Sequence, residues 1–283
     1  MHTLRILNLL PFLALTVLAS EDTRVDPVDV LQIKNVLIEN YEGSLKPDTL
    51  QLFPNIEHLE FKHNNFTIFN ADFLRLLPNL QTLKIAKNAM KEVEFNATGC
   101  CGKLESIELE KSGIGGRLEE ALKQIGTIKS LKYISLADEN LPVLREDVLV
   151  NPNLEELSIY ACDLETIEDG AFKKLQQLKT LELRVNRLGW INKEVFAPLT
   201  NIRKINLDQN RMIQLTTDML PPLPNLEVLI VSFNNLHLLD LEGVKNVAPK
   251  LKTVDIGGFV QKGGMEIKSG GVHFVGFVIK TRY

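Results

Sequence analysis

The sequence predicts an α/β-type repeat solenoid. It should be a curved horseshoe with about ten parallel strands on its concave face, an irregular or short-helical convex side and a β cap at the C-terminus. Three observations carry this. The pattern LxxLxLxxN, with any aliphatic residue or Phe allowed at the L sites, begins at Ile33, Ile56, Leu80, Leu104, Leu131, Leu154, Leu178, Ile202, Leu226 and Leu251, the first and last copies being weaker. Successive copies are spaced by 23, 24, 24, 27, 23, 24, 24, 24 and 25 residues, a register too constant for coincidence. The period then breaks at residues 257–283, where Gly257-Gly258, Gly263-Gly264 and Gly270-Gly271 punctuate two short apolar runs.

Each site has a physical role. In the copy at Leu178, the apolar sites Leu178, Leu181 and Leu183 lie on and beside a short strand and point inward, while Leu188, Ile191, Phe196 and Leu199 fill the convex side. The ninth site, here Asn186 and in its neighbours Cys162 and Asn210, sits where no strand ladder satisfies the backbone, so its side chain is expected to bond the turns. One repeat cannot bury its apolar face alone, so neighbours must stack. Strands of successive repeats would lie roughly 4.8 Å apart. The long spacing after Leu104 carries Leu118 to Ile125, read as a convex helix.

The ends are read separately. Arg5 and the apolar stretch Ile6 to Ala19, followed by Ser20-Glu21-Asp22, form a signal peptide over residues 1–19, shorter than the roughly 20 apolar residues a membrane span needs. Residues 20–32 are expected to cap the array (33–256) at one end, and strands or a hairpin in 257–283 at the other, where an open edge would invite aggregation. No second apolar run of membrane length follows, and the C-terminal residues lack a lipid-anchor signal. The expected localisation is therefore secreted and extracellular. The sequons at Asn65 and Asn96 add candidate glycosylation sites. Loss of residues 1–19 removes Arg5 and no acid, taking the net charge from −4 to −5, which argues against nucleic acid as a partner.

Repeats such as Asp169-Gly170-Ala171-Phe172 with Leu175, Leu178, Leu181, Leu183 and Asn186 resemble the typical-class extracellular leucine-rich repeats of animals. Toll-like receptor ectodomains, small matrix proteoglycans and short arthropod leucine-rich immune proteins carry such repeats. The resemblance covers residues 33–256 and implies the fold and a place in recognition, innate immunity included; the matching residues are scaffold and name no ligand. The chain lacks the cysteine clusters that cap many such arrays.

No catalytic constellation is legible, no cofactor is expected, and the chain is read as a non-enzyme. His58 and His63 are the nearest approach to a metal pair, and no third ligand accompanies them. Cys162 occupies a ninth site, and Cys101 a buried apolar site. Cys100 beside it is a candidate for an interchain disulfide and a disulfide-linked dimer, with a buried thiol or a vicinal Cys100–Cys101 bridge as the alternatives.

The third, fifth and seventh sites are free of scaffold duty and form columns on the exposed strand face. One region concentrates binding chemistry: Tyr133, Tyr160, Glu182, Arg184, Asp208, Ile230 and Phe233. Tyrosine and arginine are frequent hot-spot residues, and Ile230 with Phe233 adds apolar area; pairing of Arg184 with Glu182 and Asp208 would be the plain structural alternative. The expected partner is an extracellular protein or glycoconjugate. A matrix or adhesion component, or an enzyme inhibitor, remains the other reading of the same surface.

Overall fold

The computed structural model describes residues 3–7, 31–45, 48–94, 101–257, 266–268 and 278–280. It falls into two compact units, Met1–Ser135 and Leu136–Tyr283. In the first, the strands Thr3–Leu7, Asn35–Glu39, His58–Lys62, Thr82–Ala86 and Ser106–Glu110 pair in parallel, in that order. In the second, Glu156–Tyr160, Thr180–Glu182, Lys204–Asn206, Val228–Ile230, Thr253–Asp255 and Val278–Lys280 do the same. The register is that of the sequence repeat: Asn35 faces His58, His58 faces Thr82, Thr180 faces Lys204 and Val228 faces Thr253. The strand Tyr133–Ala137 begins in the first unit and ends in the second.

Alternation does the sorting. In Ser106–Glu110 the pattern runs half-buried, buried, half-buried, buried, half-buried, with Ile107 and Leu109 inside. The period of two therefore places the third, fifth and seventh sites on one exposed face. Beneath the first unit's strands lies a phenylalanine cluster, in which Phe61 contacts Phe66, Phe69 and Phe73 at ring-centroid distances of 5.8, 5.3 and 5.4 Å. All four are no more than 1% exposed.

At the end of each strand the chain must turn without losing its pairing. The eighth site does this by taking a left-handed conformation: Asn40, His63, Lys87, Lys111, Asp138, Ala161, Val185, Gln209 and Phe233 all have φ between 45 and 57°. The N–H of that residue still reaches the next repeat, as in Val185 to Asp208 O at 2.9 Å and Phe233 to Gly257 O at 2.7 Å. Only Asn40, His63 and Asp138 among these are residue types enriched at such a φ, so the others are held there by the stack.

The ninth site then satisfies the bend. The Asn210 amide donates to the carbonyls of Leu183, Leu207 and Asp208 at 2.9, 3.1 and 3.2 Å and accepts from Leu188 N at 3.0 Å. Asn186 and Asn234 repeat the arrangement one turn to either side, and Asn64 and Asn88 form a related pair in the first unit. In the intervening repeats the ninth site is Ser112, Glu139 or Cys162, each of them buried.

The return side is more regular than the sequence suggested. The helix Leu118–Ile125 forms as expected and buries Leu118, Ala121, Leu122 and Ile125, one helical stripe. Short parallel sheets also line the return: Glu42–Gly43, Asn65–Asn70 and Ala89–Glu94 in the first unit, and Gln214–Leu215, Leu238–Asp240 and Glu266–Lys268 in the second. At Gly113, φ is 87° and an added Cβ would stand 2.5 Å from the Asn88 carbonyl oxygen, so close passage of the two backbones requires glycine there.

Both ends add strands in parallel. Glu266–Lys268 continues the return sheet and Val278–Lys280 continues the main run beside Thr253–Asp255, so these strands extend the two existing sheets and do not pair as a hairpin with each other. The rest of 257–283 beyond Gly257 lies outside the described residues, as do Asn96, Cys100 and residues 8–30. Thr3–Leu7, within the stretch read as an export signal, pairs with Asn35–Glu39; cleavage after Ala19 would remove this strand. Among the described residues no helix is long and apolar enough to cross a membrane.

Cys101 is buried and disulfide-bonded, and Cys162 is a free buried thiol. Cys100 is the one remaining cysteine able to pair with Cys101 within the chain. Burial pushes the Cys162 thiol up to about 12, so it stays protonated and unreactive at neutral pH.

Three outcomes follow from this framework. Replacing Asn210 by Ala leaves the buried Leu188 N–H without its acceptor and takes one donor from each of three carbonyls that keep another, lowering unfolding free energy by about 2 kcal/mol, whereas Asn201→Ala, which removes one exposed bond, costs less than about 1 kcal/mol in denaturant titrations. Val185→Asn relieves a β-branched residue at φ 57° and stabilises by about 1 kcal/mol in the same titration. Thiol titration finds one reactive group, Cys162, and only after unfolding, while electrophoresis without reductant shows a monomer; a dimer band would instead assign Cys100 to an interchain bond.

Candidate functional site

The exposed strand face of the second unit holds the polar and aromatic side chains that the scaffold does not use. Tyr160 ends the strand Glu156–Tyr160 and is half-buried; Arg184, its counterpart on the next turn, is exposed. The Arg184 guanidinium lies over the Tyr160 ring, 4.8 Å from its centroid. Such stacking fixes a long, otherwise mobile side chain while leaving its N–H groups free. Among the described residues Arg184 pairs with neither Glu182 nor Asp208. Glu182 pairs with Lys204 at 2.6 Å and also accepts from Asn206. Asp208 accepts from Ser232 Oγ at 2.6 Å and from Gln209 Nε2 at 3.0 Å.

Ile230 is half-buried on the strand Val228–Ile230, and Phe233 is 44% exposed beyond its end. Phe233 owes that exposure to the left-handed turn, which carries its side chain out of the column occupied by Tyr160 and Arg184. The structure thus gathers Tyr160, Glu182, Arg184, Asp208, Ile230 and Phe233 on consecutive turns of one unit. Tyr133 is half-buried on the strand face of the first unit.

The first unit's strand face is different in character. A shallow cavity of about 300 Å³ there is lined by Asn35, His58, Glu60, Thr82, Lys84, Ser106 and Glu108, with no Phe, Tyr or Trp. His58 Nδ1 lies 2.7 Å from Thr82 Oγ1, and His63, turned away at the eighth site, faces Glu39 at 3.5 Å, so the two histidines do not converge. Among the described residues no group of three or more His, Cys, Asp or Glu side chains could hold a metal ion. Asn65 is exposed at the start of Asn65–Asn70, and Thr67 is exposed on the same strand, so the sequon stands accessible on the return side.

Two features escaped the reading of the sequence. Asn55, Asn79, Asn201 and Asn225 precede the first site of their repeats and cap backbone carbonyls of the turn before, for example Asn225 to Thr200 O at 3.0 Å. Their recurrence as Pro-Asn at 54–55, 78–79 and 224–225 was the available signal. Ion pairs also bridge repeats at the second site, Lys34 with Glu57, Lys132 with Glu105, Lys179 with Glu155 and Lys252 with Glu227. Hydrogen bonds from Lys34 and Lys252 hold the Glu57 and Glu227 carboxyls below their ordinary range.

Comparison with known proteins agrees with this architecture. Residues 152–212 match the family described as leucine rich repeat. Chaoptin of Tribolium castaneum is 28% identical over 148 residues, 48% of this chain and 18% of that protein, so the chain spans less than a fifth of this relative. Among solved structures, the one titled as a TLR13–ssRNA13 complex aligns over 91% of this chain and 52% of its own, at 16% identity and a TM-score of 0.48. A unit of 23 to 27 residues that recurs in both halves, with a buried polar residue closing most turns, has the leucine-rich-repeat fold, and residues 152–212 carry its sequence signature.

Proposed function

We propose that this chain is a secreted, non-enzymatic recognition protein that binds an extracellular protein or glycoconjugate through the exposed strand face of its second unit, in innate immunity or extracellular signalling. Leucine-rich-repeat proteins bind protein partners, and the scaffold leaves the third, fifth and seventh sites free to do so. The observation that carries the reading is Arg184, held over Tyr160 with no side-chain hydrogen bond among the described residues, on the same unit as an exposed Phe233. A preordered arginine beside an aromatic is the composition of a binding hot spot and loses little entropy on association. Secretion is supported by the apolar leader and by the accessible sequon at Asn65.

Affinity capture from the extracellular fluid of the source organism, with wild type and a Tyr160→Ala, Arg184→Ala, Phe233→Ala variant, tests the proposal. A partner retained by wild type and lost by the variant, with circular dichroism unchanged, is the expected result. Equal capture by both proteins removes this face from the account. Recovery of the protein only from insoluble matrix favours a structural or adhesion role instead.

A further inference from the structure

We propose that the return side of the second unit carries a site for an acidic sugar, a six-membered ring that stacks on Trp190 and places its carboxylate on Arg211. This goes beyond the strand-face reading, since it is a separate surface with a separate ligand.

The exposed ring is the first observation. Trp190, the only tryptophan of the chain, is 52% exposed, and Ile213 on the following turn is 56% exposed. Local structure accounts for this. Two short return sheets of this unit, Val143–Leu144 with Thr166–Ile167 and Gln214–Leu215 with Leu238–Asp240, stop on either side of the turn that carries Trp190. Gly189 stands at the break, offering a strand no side chain to pack. Among the described residues no main-chain hydrogen bond joins 189–192 to either neighbouring strand. Beyond its chain neighbours, a Cβ on Gly189 would meet only the Arg211 carbonyl oxygen, at 3.7 Å, so the space over Gly189 is open. Solvent-exposed apolar side chains grouped in this way mark contact surface.

Charge is the second. Sites ten to thirteen of the four turns from Asp163 to Leu238 hold two carboxylates, Asp163 and Glu165, and two arginines, Arg187 and Arg211. Arg187 takes both acids, at 2.8 and 3.4 Å. The exposed Arg211 side chain has no ion pair, hydrogen bond or ring contact among the described residues. Residues 258–283 bring one carboxylate, Glu266, which stands in register with Leu238, two return strands and roughly 10 Å from Gln214. A guanidinium left free beside an exposed indole fits a carboxylate, which it can grip with two parallel N–H bonds.

The surroundings favour a sugar over a peptide. In the column of Trp190, Thr166 stands one turn before and Gln214 one turn after. Their hydroxyl and amide make no side-chain hydrogen bond among the described residues. A sugar ring has an apolar C–H face and a rim of hydroxyls. Its positively polarised C–H bonds meet the negative face of the indole, while the rim meets Thr166 and Gln214. An apolar peptide side chain would cover both polar groups without bonding them. Turns lie roughly 4.8 Å apart, so one ring can rest on Trp190 with an exocyclic carboxylate reaching Arg211 on the following turn.

Trp190 is itself the reporter, since no other tryptophan contributes to the fluorescence. The probe is a tetrasaccharide of alternating glucuronic acid and N-acetylglucosamine. Its controls are the same tetrasaccharide with the carboxyl groups reduced to alcohols, and the peptide Gly-Ser-Asp-Leu-Asp-Ser-Gly. We expect a saturable change in Trp190 emission with the acidic sugar, about tenfold tighter than with either control and weakening as salt rises. Arg211→Gln should remove the preference for the acidic sugar, and Trp190→Ser, followed by calorimetry, should weaken binding about tenfold. Both side chains are exposed, so circular dichroism stays that of wild type. The Tyr160→Ala, Arg184→Ala, Phe233→Ala variant should bind the sugar as wild type does. Equal affinity for the acidic and reduced sugars, no effect of Arg211→Gln, or loss of sugar binding in the strand-face variant overturns the inference. A tighter response to the acidic peptide overturns it in favour of a peptide site, and none of these outcomes decides whether the strand face captures its own partner.

Discussion

The structure depends on one constraint: each turn must leave its strand, bend, and bury the bend without stranding backbone polar groups. A parallel stack meets this with two adjacent residues. The eighth turns left-handed yet keeps its N–H on the next repeat, and the ninth inserts an amide that binds carbonyls of its own and the preceding turn. An asparagine there serves as donor and acceptor together, which neither serine nor cysteine does as well. Where Cys162 takes the place, Asn186 of the following turn accepts from Cys162 N and Leu164 N and makes up part of the difference.

Because that inner column and the aliphatic sites carry the stability, the outward sites are released from it. This is why the face of the second unit can hold an arginine stacked on tyrosine, an aspartate bonded by a serine, and an exposed phenylalanine. The scaffold does not need these residues, and the proposed binding function is what would employ them. The fold sets the spacing at which that chemistry is offered, roughly 4.8 Å per repeat.

Much of this was legible beforehand. Strand register, the inward apolar sites, the ninth-site bonds and the helix Leu118–Ile125 follow from a period that alternates along strands and switches to helical spacing in the longest repeat. What was not legible turns on choices between neighbours. Arg184 had Tyr160, Glu182 and Asp208 within one strand of it, and only three-dimensional placement shows that Lys204 takes Glu182 and leaves Arg184 to the ring. The C-terminal strands suggested a hairpin because glycine pairs flank them, but Glu266–Lys268 and Val278–Lys280 each find an existing parallel edge. The disulfide at Cys101 was one of several open readings, since an odd cysteine count does not choose a partner.

Hydrogen exchange at the amides of Leu188 and Met212 tests the central claim most directly, because each donates to a ninth-site asparagine of the following turn. If the buried amide column holds the turns together, both exchange only through global unfolding, at the slowest rates in the second unit. Exchange at the rate of exposed loop amides would show that the bends open on their own, and that the column does not carry the stack.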